Sequence, residues 1–81
     1  MSAIRGNKSE LAKQDKHLAD TIKGRTVANG MTQERLAHRM GMSHDTLTRR
    51  LKQPKNFTLS ELRKLVAEMG WSADTVYELL F

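Results

Sequence analysis

Residues 32–51 read Thr32-Gln33-Glu34-Arg35-Leu36-Ala37-His38-Arg39-Met40-Gly41-Met42-Ser43-His44-Asp45-Thr46-Leu47-Thr48-Arg49-Arg50-Leu51. Leu36, Ala37 and Met40 recur at the spacing of one helix face, and Leu47 and Leu51 do the same after them. Only Gly41-Met42 stands between the two runs, so the stretch predicts two short helices joined by a very tight turn. Gly41 supplies the turn conformation, Met42 plugs the space between the helices, and the small Ala37 lets them approach closely.

The second helix is predicted to begin at Ser43, and the reason is repeated elsewhere. An apolar residue, a hydroxyl residue, and a further apolar residue four positions after the hydroxyl occur as Met31-Thr32 with Leu36, Met42-Ser43 with Leu47, Phe57-Thr58 with Leu62, and Trp71-Ser72 with Val76. Each reads as a helix start, the hydroxyl capping an unpaired backbone N–H while the preceding apolar side chain packs on the first turn. Thr58 and Glu61 complete a capping box. Gly30, Gly41 and Gly70 lie just before three of these caps, where they end the preceding helices.

An earlier helix is indicated by Leu18, Ile22 and Val27 and runs to Asn29-Gly30, with Gly24 weakening it by about 1 kcal/mol relative to alanine. Residues 1–14 are polar and basic, with Ile4 and Leu11 as their large apolar groups, and read as a flexible arm or frayed helical extension ahead of a domain spanning 15–81. Arg5, Lys8 and Lys13 are either a groove-binding arm or part of an unstructured tail. Pro54 falls where it shapes a loop without breaking a helix. No strands are expected, and the fold class is all-α with five helices.

Eighty-one residues suit one small domain. The sequence has no cysteine, which excludes a disulfide framework or thiolate metal site and fits a reducing cytoplasm. There is no secretory signal and no run of the roughly 20 apolar residues that span a bilayer, so a soluble cytoplasmic protein is expected. The net charge is +5, and it is unevenly placed. Residues 1–30 hold six basic and three acidic side chains, residues 31–56 six and two, and residues 57–81 two and four. That asymmetry suits one basic face for a polyanion, or simply an unevenly solvated surface.

At about 100° per residue, the side of the second helix opposite Leu47 and Leu51 carries Asp45, Arg49 and Lys52, flanked by Thr46 and Thr48. Arg49 can present two donors to guanine O6 and N7, a geometry that lysine does not copy. Asp45 has three readings: it caps the helix dipole, pairs with Arg49, or accepts from cytosine N4. Lys52, Lys55 and Asn56 are either phosphate clamps or members of a solvated loop.

The stretch resembles the helix-turn-helix of the phage repressor and Cro family, often called XRE-like. The resemblance is carried by Thr32-Gln33-Glu34-x-Leu36-Ala37, Gly41-Met42-Ser43, Thr46-Leu47, Thr58-Leu59-x-Glu61-Leu62 and Met69-Gly70-Trp71-Ser72, and it covers roughly residues 18–80. It implies a five-helix phage-repressor-like domain, with the recognition helix at about 43–52 lying in the major groove of double-stranded DNA. In that family the positions of His44, Asp45 and Arg49 reach base edges; Thr48 is grouped with them. Positions matching Gln33 and Ser43 hold phosphates, and Thr46, Lys52, Lys55 and Asn56 are grouped there. The resemblance also makes Tyr77, Leu80 and Phe81 a candidate dimer contact, the other reading being that this helix closes the monomer's core. A phage or prophage regulator is its further implication. The chain departs from the family at Arg50-Leu51, where an aromatic and then an acidic residue are common, and at Gln53, where glycine is frequent. No ion pair between that helix and the first is therefore carried over.

No catalytic arrangement emerges. His17, His38 and His44 lack a helical metal-ligand spacing, and no glycine-rich loop leads into a helix as a phosphate cradle. Neither an enzyme, nor a metal, cofactor or small-molecule ligand is expected. Trp71, Phe57 and Tyr77 read as core or interface, since four aromatics are poor provision for stacking single strands. The main alternative is a protein-interaction module on the same fold, such as an antitoxin or adaptor.

Overall fold

The structure, a computed structural model, describes residues 8–81. Its elements are α1 (Lys8–Ala28), α2 (Gln33–Arg39), α3 (His44–Lys52), a short 3-10 turn (Pro54–Asn56), α4 (Leu59–Met69) and α5 (Ala73–Leu80). The described residues contain no strand.

All four expected caps form. Thr32, Ser43, Thr58 and Ser72 have extended backbones, and each side-chain oxygen accepts the backbone N–H three residues on, at 3.1, 3.1, 3.1 and 3.3 Å. At Thr58 the box closes, because the Glu61 carboxylate accepts the Thr58 N–H at 2.9 Å. Three helices reach their caps through one device, Gly30-Met31-Thr32, Gly41-Met42-Ser43 and Gly70-Trp71-Ser72. In each the glycine is left-handed, with φ of 67°, 74° and 67°, and the apolar residue's N–H reaches the carbonyl five residues back. The same apolar side chain packs against the core, so one residue finishes one helix and anchors the next. That economy is why the α2–α3 turn can be so short.

Leu18, Ile22, Leu36, Ala37, Met40, Leu47, Leu51, Phe57, Leu65, Met69 and Leu79 form one buried cluster. α1 runs against each of the other four helices and the 3-10 turn, so it is the central rod of the domain. Its buried residues are Leu18, Ala19, Ile22 and Thr26, which corrects one expectation: Val27 is 76% exposed. Counting by fours from Leu18 and Ile22 lands on Thr26. Its hydroxyl donates to the Ile22 carbonyl at 2.7 Å, leaving the methyl to pack like an aliphatic group. Residues 8–14, grouped with the arm by composition, are the opening turns of α1. Arg5 lies outside the described residues. Pro54 is buried and opens the 3-10 turn that leads the chain to the buried Phe57.

Candidate nucleic-acid interface

α3 is fixed from one side and open on the other. Leu47 and Leu51 are buried in the core, while His44, Asp45, Arg49 and Lys52 are exposed, with Thr46 and Thr48 half-buried at the flanks. A short helix held through two leucines, capped at Ser43 and set at close range against α2 through the buried Ala37, presents its outer side chains on a rigid base.

The outer residues differ in what they have left to offer. Ser43 Oγ both accepts the Thr46 N–H and donates to Thr46 Oγ1 at 2.9 Å, so these two hydroxyls support the helix start. The Thr48 hydroxyl donates back along the helix to the His44 carbonyl at 2.9 Å. Arg49 and Asp45 are joined, Nη2 to Oδ2 at 3.3 Å, with most of both side chains in solvent. Arg49, Lys52, Gln53 and Asn56 border one open notch of about 200 Å³ at the end of α3, where Asn56 Nδ2 donates to Gln53 Oε1 at 3.2 Å. Lys55 borders a different groove, together with Leu79 and Leu80. Gln33 is the first residue of α2 and is half-buried.

Sequence reasoning missed a brace behind this face. Arg50, next to Arg49, turns toward α4 and meets Glu61, Nε to Oε1 at 3.1 Å, both side chains about three-quarters covered. One turn pair further along α4, Glu68 takes Arg39 of α2 at 2.6 Å. Glu61 and Glu68 are seven residues apart and share a face of α4, so a single helix holds both members of the α2–α3 pair. Glu61 serves the cap and the brace together. Its carboxyl is held below the usual carboxylate range, chiefly by the hydrogen bond from the Thr58 N–H; partial burial opposes this, and the Arg50 guanidinium lowers it further. Arg25 Nε also donates to the Met69 carbonyl at 3.2 Å, tying α1 to the end of α4. The capping-box spacing exposed the first role of Glu61. The pairings across 11, 29 and 44 residues leave no periodic trace.

At the end of α5, Tyr77 and Phe81 are 70% and 67% exposed with ring centroids 5.6 Å apart. Leu80 leans on the core instead.

A family model described as helix-turn-helix matches residues 23–76, two thirds of the chain. The chain belongs to the XRE-type helix-turn-helix family of phage repressors and Cro. It is thus a DNA-binding regulator of the helix-turn-helix kind, with α2 and α3 as the motif's two helices. No curated protein and no solved structure matches it. Among the described residues no helix is long and apolar enough to cross a membrane, and no three His, Asp or Glu side chains gather as a metal set.

Proposed function

We propose that this protein binds double-stranded DNA sequence-specifically as a small repressor-like or Cro-like transcriptional regulator of the cytoplasm, with α3 in the major groove. The observation that carries this is the outward face of α3. Arg49 stands 67% exposed there, above a helix whose inner face is fully committed to the core, while its neighbour Arg50 is committed to Glu61. In this reading His44, Asp45, Thr48 and Arg49 face bases. Gln33, Ser43, Thr46, Lys52, Lys55 and Asn56 line the flanking phosphates, with Arg49, Lys52 and Asn56 already gathered at one notch. A phage or prophage setting is proposed on the family resemblance and the small size alone.

The exposed Tyr77–Phe81 pair favours a second element of the reading, a homodimer on DNA built through the end of α5. A two-fold pair would place two copies of α3 on half-sites about one helical turn apart. Selection of bound sequences from a random duplex pool tests the whole reading. A recovered palindrome supports it, and a salt titration on random duplex should show affinity falling steeply as salt rises. Absence of duplex binding at low salt overturns it in favour of a protein-interaction module. Sedimentation with and without the selected duplex tests the dimer.

A further inference from the structure

We propose that Asp45 is the positioning residue that sets the base preference of Arg49, so that the two form one reading unit rather than two independent contacts. The inference rests on the DNA-binding reading above and deepens it.

The two side chains lie one turn apart on the same face of α3, Oδ2 to Nη2 at 3.3 Å, and are 81% and 67% exposed. Among the described residues neither makes another ion pair. An exposed pair of this kind contributes little to stability, because solvent screens it and ordering two side chains opposes it. A carboxylate in the middle of a surface meant for a polyanion also works against affinity, since it repels phosphates and the acceptor atoms of bases. Its presence is best accounted for by what it does to Arg49.

The guanidinium has five N–H groups. The ion pair between Nη2 and Asp45 biases where the side chain points and leaves enough of the fork to meet guanine O6 and N7 together. The second carboxylate oxygen, Oδ1, accepts only. Within the major groove, guanine O6 and N7 and thymine O4 are also acceptors, whereas cytosine N4 and adenine N6 carry amino donors. Asp45 therefore holds Arg49 toward guanine and rejects guanine or thymine at the step that it faces itself. Specificity is gained through this rejection at the cost of general affinity. Arg50 supplies the contrast within the same helix: its carboxylate partner is half-buried and belongs to α4, so that pair braces the fold and has no base to read.

The test compares the full-length protein with Asp45→Ala, Asp45→Asn, Arg49→Ala and the Asp45→Ala/Arg49→Ala double variant on random duplex and on a selected duplex with each base exchanged in turn, at fixed salt. Thermal melting is followed by circular dichroism in parallel. Asp45→Ala is expected to bind random duplex as tightly as the parent or several-fold more tightly, and to lose about tenfold of the preference for guanine at the Arg49 position. Asp45→Asn, which can both donate and accept, is expected to move the neighbouring preference toward adenine. In the Arg49→Ala background, removing Asp45 should change guanine preference no further, since there is nothing left to position. A fall in melting temperature with base preference intact would make Asp45 a dipole cap only and overturn the proposal while leaving the DNA-binding reading standing. Failure of the parent protein to bind any duplex would overturn both.

Discussion

The helix pairs α2–α3 and α4–α5 are joined by the same three-residue device, Gly41-Met42-Ser43 in one and Gly70-Trp71-Ser72 in the other, with matching left-handed glycines and matching caps. What they leave outside differs. Residues 31–56 carry a surplus of positive charge and show solvent His44, Asp45, Arg49 and Lys52; residues 57–81 carry a surplus of negative charge and show it Tyr77 and Phe81. The shared device fixes how two helices meet, and the outward side chains alone decide what they meet next. A polar, basic face suits a polyanion, and an aromatic pair beside acidic groups suits protein. The two pairs are joined by the ion pairs Arg39–Glu68 and Arg50–Glu61.

The deepest break would come from the core under α3. Leu47 is fully buried, and Leu47→Ala should cost about 2–5 kcal/mol, read by thermal or urea unfolding. Affinity for every duplex should fall together as the folded fraction falls. A variant that kept its stability but lost base preference would contradict the view of Leu47 as support and make it a reader.

Arg49→Ala is the next largest and has the opposite profile. Stability should hold to within about 0.5 kcal/mol, because the side chain is exposed, while discrimination at one base position should fall by about 1–3 kcal/mol. Measuring both quantities on one preparation sharpens the contrast between the two arginines. Arg50→Ala should lower stability by about 1 kcal/mol and leave base preference in place.

Glu61 gives the brace a pH signature. A carboxyl whose folded pKa is depressed contributes stability that is present above its unfolded pKa and lost as pH falls through the folded one. As pH falls below the ordinary glutamate pKa of about 4.3, the parent should therefore lose stability relative to Glu61→Gln, whose side chain cannot titrate. At neutral pH the glutamine variant should be the weaker by about 1 kcal/mol, having lost the charge that faces Arg50. Parallel curves across the acidic range would remove Glu61 from the brace.

These four residues also separate what the sequence makes legible from what it hides. The caps at Thr32, Ser43, Thr58 and Ser72 and the turns at Gly30, Gly41 and Gly70 rest on local chemistry, and local chemistry is written in adjacent letters. The outward position of Arg49 follows from one rotation about a helix whose start is known. Arg50–Glu61 and Arg39–Glu68 depend on where α4 lies against α2 and α3, which is settled by packing of the whole core. The bond from the Thr48 hydroxyl to the His44 carbonyl is likewise a rotamer choice, and residue type alone does not reveal it.

The smallest predicted effects concern Thr26 and Val27, where hydropathy points to the wrong neighbour. Ile22 and Thr26 are one turn apart on the buried face, and the Thr26 hydroxyl is satisfied by the Ile22 carbonyl within its own helix. Thr26→Val removes that donor and leaves no group stranded, since the carbonyl keeps its place in the helical hydrogen-bond ladder; the change in stability should be under about 1 kcal/mol in either direction. Val27→Ala, at a position 76% exposed, should change stability by no more than about 0.5 kcal/mol, with alanine's better helix propensity acting in its favour. Ile22→Ala on the same helix should cost several times more than either. If Val27→Ala proved as costly as Ile22→Ala, α1 would be rotated by about 100° from the arrangement described, and the core would have to be rebuilt around Val27.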